Sequence, residues 1–256
     1  MQKTCTQTKN FLQDYNLNKT KTYFNWSSGK DSALALYHLL QDDRYSVEEL
    51  ITTINSHYNR VSMHGLRKEL LLAQTNALNI KSSLIELPEM PNMEIYEQKM
   101  TDIVTRLKDD GFTHSAFGDI FLEDLKTYRE NQLAEIGLKA VFPIWKRNTK
   151  ELIHEFLDLG FKTIIVCANS KYFSEDFVGT VIDKHFIDNL PEGVDPCGEN
   201  GEFHTFCFDG PIFNKAIEFT IGEKVYREYN TPKTDDSICK SDKYGVWYCD
   251  LISKSS

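Results

Sequence analysis

Residues 24–32 read Phe-Asn-Trp-Ser-Ser-Gly-Lys-Asp-Ser, and no other stretch restricts the fold as tightly. Thr22 to Trp26 has the texture of a short buried strand. Ala33, Leu36, Tyr37 and Leu40 then recur at i, i+3, i+4 and i+7, one face of a helix. The turn between strand and helix is made of Ser27, Ser28, Gly29, Lys30, Asp31 and Ser32. A helix N-terminus presents unpaired N–H groups and the positive end of the helix dipole. Small side chains let a phosphate reach that backbone. Lys30, expected on an exposed loop, adds a positive charge, and three serines add hydroxyl donors, so the stretch reads as a polyphosphate cradle. Asp31 is open to two readings: assistance to Mg2+, or a favourable acid at the helix N-terminus.

Strands and helices alternate beyond it. Leu50–Ile54 and Ser83–Leu87 read as strands. Between them a polar connector, 55–64, leads into a helix with Leu66, Leu70, Ala73 and Ala77 on one face. Tyr96, Met100, Ile103 and Leu107 stripe a further helix, which Gly111 ends. His114–Phe117 reads as the next strand and stops at Gly118-Asp119. Such alternation predicts βαβ units and a mainly parallel sheet, with ligands beyond the carboxyl ends of its strands. Both the 27–32 turn and Asp119 fall at that edge. His64 follows the irregular connector and is open between an adenine contact and a surface histidine.

The same pattern is expected to continue in the second half. Lys139–Ile144 and Lys162–Ala168 read as strands around a helix opened by a capping box at Asn148-Thr149-Lys150-Glu151. A helix is expected around Asp176–Asp188. Ala216–Ile221 and Lys224–Tyr229 read as two strands joined by a turn at Gly222-Glu223, and Val246–Ile252 as the last strand. Residues 1–20 read as a loosely held arm and Thr231–Lys243 as a polar loop.

Composition removes several function classes. The chain has 256 residues, 41% of them hydrophobic, and a formal net charge of −9. Phosphate neutralisation on a nucleic acid needs clustered Lys and Arg, so nucleic acid is disfavoured as a partner. Met1–Thr20 lacks the apolar core of a signal peptide, and no run approaches the roughly 20 apolar residues of a membrane helix. A cytoplasmic protein without a membrane partner is therefore expected. The six cysteines form no Cys-x-x-Cys pair, so no zinc ribbon is expected, and free thiols are the default. A Cys197, Cys207, His204 metal set lacks tight ligand spacing, and no metal ligands are assigned.

The densest chemistry lies in 192–205, Glu-Gly-Val-Asp-Pro-Cys-Gly-Glu-Asn-Gly-Glu-Phe-His-Thr. Glu192, Asp195, Glu199 and Glu202 gather around one imidazole and one thiol, with glycines setting the turns. Such a loop suits a cationic group, Mg2+ or ammonia, although acidic glycine-rich loops are as often solvated turns. Cys197, after Pro196 and without a partner cysteine nearby in sequence, reads as structural rather than nucleophilic.

The 27–32 turn is not of Walker type, because Phe24 stands where that motif has its first glycine. It resembles the PP-loop, Ser-Gly-Gly-Lys-Asp-Ser, of ATP pyrophosphatases, with Ser28 in place of the first glycine. If that position requires positive φ, Ser28 carries a steric cost. Paired with Gly198–Thr205 and Phe208-Asp209-Gly210-Pro211-Ile212-Phe213, the loop resembles the diphthine–ammonia ligase (diphthamide synthase) family, within the adenine nucleotide alpha hydrolase superfamily. Arg60–Gly65, Phe117–Ile120, Tyr128-Arg129-Glu130 and Pro143-Ile144-Trp145 extend the likeness over roughly residues 22–230.

The resemblance implies a Rossmann-like α/β fold: an arm over 1–20, a PP-loop ATP-binding domain over 21–136, and a smaller C-terminal α/β substrate domain over 137–256. It implies an ATP-dependent ligase, with Mg2+, that adenylates a carboxylate (diphthine, on a modified histidine of a translation elongation factor) and lets ammonia displace AMP. By motif, Ser27–Ser32 would grip the phosphates, with Lys30 and Asp31 catalytic. Met63, His64, Gly118 and Asp119 would line the nucleotide pocket. Arg129, Glu130, Asp195, Gly201 and Thr205 would meet substrate, and Glu199, Glu202 and His204 would act on the ammonia side, with Glu202 as proton acceptor. No stretch is left for a glutaminase domain, so free ammonia is the expected nitrogen source. A homodimer is left open. The rival readings are a PP-loop tRNA-modifying enzyme, which should carry a basic groove or a cysteine pair, and a non-catalytic adenine-nucleotide-binding protein, which should lack the acidic motif.

Overall fold

The computed structural model describes residues 19–62, 64–230 and 243–254. Most of the arm read over 1–20, nearly all of the polar loop Thr231–Lys243, and Met63 lie outside the described residues.

The first half builds a six-stranded sheet. Its elements are β1 (Thr20–Asn25), α1 (Lys30–Gln41), β2 (Tyr45–Asn55), β3 (Arg60–Val61), α2 (Lys68–Leu78), β4 (Lys81–Leu87), α3 (Met93–Asp109), β5 (His114–Ala116), α4 (Glu123–Glu135) and β6 (Lys139–Val141). β1 pairs in parallel with β2 and β5, β4 with β2, and β6 with β5. The parallel order is thus β4-β2-β1-β5-β6, and β3 adds antiparallel at the end of β2. Strand order reverses at β1, so the loops after β1 and β5 flank the crevice where doubly wound sheets bind ligands. β1 is buried on both faces, as the strand between two helical layers must be. Tyr23 faces a core with Ile51, Ile85, Val104 and Leu107, while Phe24 joins Leu36, Leu50 and Leu70 on the other side.

The sequence periodicity missed α4. This helix fully buries only Leu133, so it carries no apolar stripe to read.

The second half contains α5 (Thr149–Asp158), β7 (Lys162–Asn169), α6 (Lys184–Asp188), β8 (Phe203–Asp209), β9 (Phe219–Asn230) and β10 (Lys243–Ser253). Asn148 caps α5 as its sequence predicts, accepting from the Glu151 N–H at 3.1 Å. The expected parallel pattern does not continue. The four strands run in the order β8-β7-β10-β9, each antiparallel to its neighbour. A parallel return would need a crossover, usually helical, and the helix expected around Asp176–Asp188 is broken. It is replaced by a 3-10 turn at Glu175–Phe177, Gly179 at φ 84°, a bridge from Val181 to Ile164, and the short α6.

The hairpin expected at Gly222-Glu223 is also absent: β9 runs through it. There the register with β10 slips between Cys249 and Leu251, a bulge in which a Cβ on Gly222 would lie 3.2 Å from the Asp250 carbonyl oxygen. The core around Phe24 and Leu36 continues into Phe156, Ile165, Phe206 and Cys207, so the two sheets share buried apolar surface. Among the described residues no helix is long and apolar enough to cross a membrane.

Candidate active site

The 26–32 loop leaves β1 at the switch point and turns directly into α1. Ser27 Oγ and Ser32 Oγ lie 2.7 Å apart, and Ser32 Oγ accepts from the Ser27 N–H at 3.2 Å. These bonds fold the loop back on the first turn of the helix. Ser28 adopts φ 73°, the left-handed conformation that an L-residue reaches at a cost of about 1–2 kcal/mol. The sequence raised that cost as a condition, and the backbone meets it. Ser28 is fully buried, and its Oγ has no hydrogen-bond partner among the described residues. Its carbonyl accepts from Cys207 N at 3.0 Å and from Gln74 Nε2 at 3.0 Å.

Lys30 is not on an exposed loop. It is the first residue of α1 and only 3% exposed. Its Nζ donates to both Asp31 carboxylate oxygens, at 2.9 and 2.7 Å, and to the Cys197 carbonyl. Burial opposes its charge, but Asp31 and the carboxylate of Glu199 hold its pKa above the usual value.

The acidic loop therefore meets the PP-loop in space. Thr205 Oγ1 accepts from the Lys30 N–H at 3.1 Å. The His64 and His204 rings stack at 4.9 Å. Burial lowers both imidazoles, His64 to about 3 and His204 to about 4, with Lys30 adding to the effect and His204 to that on His64. Both are neutral near pH 7. His64 Nδ1 is buried without a partner among the described residues. Gly118 lets the loop after β5 approach: a Cβ there would lie 3.0 Å from Ser32 Cα and N. Next to it Asp119 pairs with Arg129 at 2.6 Å, and burial raises its carboxyl against the pull of that guanidinium.

These elements enclose a cleft of 560 Å3. Of the residues singled out from sequence, Ser27, Gly29, Lys30, Asp31, Ser32, His64, Gly118, Asp119, Arg129, Glu199, Gly201, His204 and Thr205 line it. Ser28 lies behind the loop. Glu130 points elsewhere, paired with Lys126 at 3.0 Å on the outer side of α4. Asp195 organises its own loop, accepting from Thr149 Oγ1 at 2.7 Å and Cys197 N at 2.8 Å.

The two glutamates of the motif have different surroundings. Glu202 is fully buried away from the cleft. It accepts from Asp195 N at 3.0 Å, Asn200 N at 2.8 Å and Asn200 Nδ2 at 3.0 Å. Burial works to raise its pKa, yet these hydrogen bonds hold it below the usual value. The expectation of a proton-accepting Glu202 is corrected on this geometry: its oxygens are committed to the loop. Glu199 faces the cleft, and burial, reinforced by Asp31, raises it to about 7. Cys197 is buried, its Sγ donating to Thr149 O at 3.3 Å, and burial pushes its pKa well up. Such a thiol is inert. Cys167, Cys197, Cys207 and Cys249 are free.

Sequence reasoning missed Gln74. Fully buried on α2, it donates to Ser28 O and to Cys207 O at 2.6 Å, and accepts from Trp26 Nε1 at 2.7 Å. Its signal was a polar residue one turn after Leu70 in an otherwise apolar face. Thr52, Tyr96 and Met100 also line the cleft unforeseen.

A Ser/Gly loop with a buried lysine at the switch point of a parallel sheet, walled by an acidic motif from a second sheet, is the PP-loop α/β architecture. Two family descriptions match: "Diphthamide synthase N-terminal domain" over residues 20–140 and "Diphthamide synthase C-terminal domain" over residues 148–236. The chain belongs to the diphthamide synthase family. It is 29% identical to the Homo sapiens protein named diphthine–ammonia ligase, over 66% of this chain and 67% of that one. It is 31% identical to the Mus musculus protein of the same name over 38% of each chain. The Schizosaccharomyces pombe protein is 28% identical over 40% of this chain but only 18% of its own length. The matched region thus spans well under two thirds of the mouse and fission-yeast relatives. A solved structure, the U34-tRNA thiolase NcsA from Methanococcus maripaludis with its [4Fe-4S] cluster, covers 60% of this chain and 63% of that one. The two align with a TM-score of 0.34 and 17% identity.

Proposed function

We propose that the cleft binds ATP with its phosphates over Ser27–Ser32, and that the protein is an ATP-dependent amide ligase using free ammonia. The observation that carries this reading is Lys30. A buried ammonium joins the phosphate loop to the acidic loop, so one charge serves both halves of a two-step reaction.

A carboxylate is a poor acyl donor because it has no good leaving group. In the first step its oxygen attacks the α-phosphorus, the bond to the bridging oxygen of the β-phosphate breaks, and pyrophosphate leaves. Lys30 and the N–H groups of the loop stabilise the charge that develops on pyrophosphate. Mg2+ fits as a companion of the triphosphate. Among the described residues no group of three His, Cys, Asp or Glu could hold a metal unaided, whereas Asp31 and Asp119 line the cleft as the one or two carboxylates that Mg2+ takes beside phosphates. When bound it supplies charge neutralisation on those phosphates.

In the second step ammonia attacks the acyl carbon, the acyl–oxygen bond breaks, AMP leaves, and the nitrogen gives up one further proton to water. Ammonia enters as ammonium, attracted by Asp31, Asp119 and Glu199. Glu199, poised near neutrality, takes the proton that frees the nitrogen lone pair. The neutral His64–His204 stack forms a flat wall suited to a base or to a ligand hydrogen bond. On this reading the second sheet, with its acidic loop, is the acceptor side; it forms the later part of the substrate unit expected from residue 137 onward, whose first strand, β6, belongs to the first sheet. The family supplies the acceptor to try first, diphthine on a translation elongation factor. Its quaternary ammonium suits the carboxylates of the cleft. The test is incubation of ATP, ammonium and that acceptor with the protein: amide formation matched by AMP supports the reading, and ATP turnover without amide overturns it.

A further inference from the structure

Asp250 lies on β10, beyond residue 236, where the match to the family's C-terminal description ends. Its carboxylate reaches across to the first sheet. Oδ1 accepts from Arg60 Nη1 at 2.8 Å, and Oδ2 accepts from Arg67 Nη2 at 2.6 Å. Arg60 Nη1 also donates to the Gly65 carbonyl at 2.7 Å. These arginines bracket one turn, closed by backbone bonds from Val61 N to Leu66 O at 2.7 Å and from Lys68 N to Asn59 O at 2.9 Å. Val61, Ser62 and His64 from that turn line the cleft. Tyr248, also on β10, backs it: a Cβ on Gly65 would lie 3.4 Å from the Tyr248 ring.

We propose that Asp250 is a positioning residue for nucleotide binding: it clamps the Arg60–Arg67 turn to β10 and so holds the His64 wall of the cleft against the PP-loop. The clamp rests on the ATP-binding reading for its consequence, but not for its geometry. The Arg60 and Arg67 side chains remain 33% and 38% exposed, so loss of the carboxylate opens no core cavity. It leaves two guanidiniums facing each other at the ends of one turn, and like charges drive that turn open. The carboxyl stays ionised across any working pH: burial would raise it, but the two arginines hold it at about 2.

The experiment compares wild type, D250N and D250E as full chains by amide hydrogen exchange, thermal melting, ATP titration and steady-state kinetics. D250N should exchange faster at the Val61 and Gly65 amides while the β9–β10 ladder stays protected. Loss of one charged contact should weaken ATP binding about tenfold, with kcat at saturating ATP within about twofold of wild type. D250E, which can still reach Arg67, should recover part of the affinity. A lowered melting temperature with unchanged exchange at the turn and unchanged ATP affinity would mean that Asp250 is only structural, and the proposal fails. If wild type binds no ATP, the functional reading fails instead, and the exchange data alone decide the clamp.

Discussion

The Lys30 N–H donates to Thr205 Oγ1 at 3.1 Å, across 175 positions of sequence. This bond caps the first turn of α1 with a side chain from β8, so the phosphate loop and the acidic motif form one wall. Changes in the acidic loop should be felt at the phosphate loop.

Lys30→Ala is expected to lower turnover by about 100-fold or more, as loss of a stabiliser of developing phosphate charge does. Because the ammonium is buried, the change also leaves Asp31 without its partner. Asp31 is partly exposed, which moderates the loss to an expected 1–3 kcal/mol or so. Urea unfolding beside single-turnover kinetics separates the two effects. An unchanged rate in folded protein would remove Lys30 from the chemistry.

Ser28→Gly is expected to stabilise the protein. It relieves positive φ and removes an orphaned hydroxyl, partly offset by the greater freedom of glycine in the unfolded chain, for a net gain of about 1 kcal/mol. Ser28→Val should lose stability at the same position. Denaturant midpoints check both, and a destabilised glycine variant would show that the serine makes an interaction this account lacks.

Glu199 and Glu202 should separate cleanly. Glu199 carries a folded pKa raised to about 7, so its ionised, base-competent form accumulates as pH rises through that value. With ammonium held constant, the rate of amide formation should rise and level off through pH 7, and E199Q should lose that inflection. The stability sign runs the other way. Ionisation of a group with a raised pKa costs stability as pH rises from the unfolded value toward 7, so E199Q should be relatively more stable at pH 8. E202Q should instead loosen the loop and lower the melting temperature.

The stacked histidines predict acid sensitivity. Both folded pKa values lie below the ordinary 6.5, so below that pH the unfolded chain binds protons that the folded one refuses. Stability should fall from about pH 6.5 toward 4, at up to roughly 1.4 kcal/mol per pH unit for each histidine. His204→Gln should flatten the slope. Denaturant midpoints from pH 4 to 8 measure it, and a wild-type curve without this slope would contradict the buried neutral pair.

The β1–loop–α1 unit was legible because its signals are local: an apolar run, a small polar turn and a helical stripe. The acidic motif was legible as chemistry but not as structure. Its last residues, Phe203–Thr205, open strand β8, hidden because His204 and Thr205 interrupt the apolar residues. Gly222 read as a turn because a glycine marks a turn and a bulge alike. Nothing local could reveal which glutamate faces the cleft, since Glu202 is withdrawn by hydrogen bonds within the folded loop. Gln74 and Asp250 were hidden for a related reason: their partners lie up to 133 and 190 positions away.

The central claim is that one cleft activates a carboxylate with ATP and delivers ammonia to it. The most direct measurement supplies 15N-ammonium, α-labelled ATP and an elongation factor carrying diphthine, and follows nucleotide and amide products together. The account predicts AMP and pyrophosphate in equal amounts, with one 15N amide per AMP and neither formed without the acceptor. ADP and phosphate as products, or AMP released without 15N entering the acceptor, would contradict it.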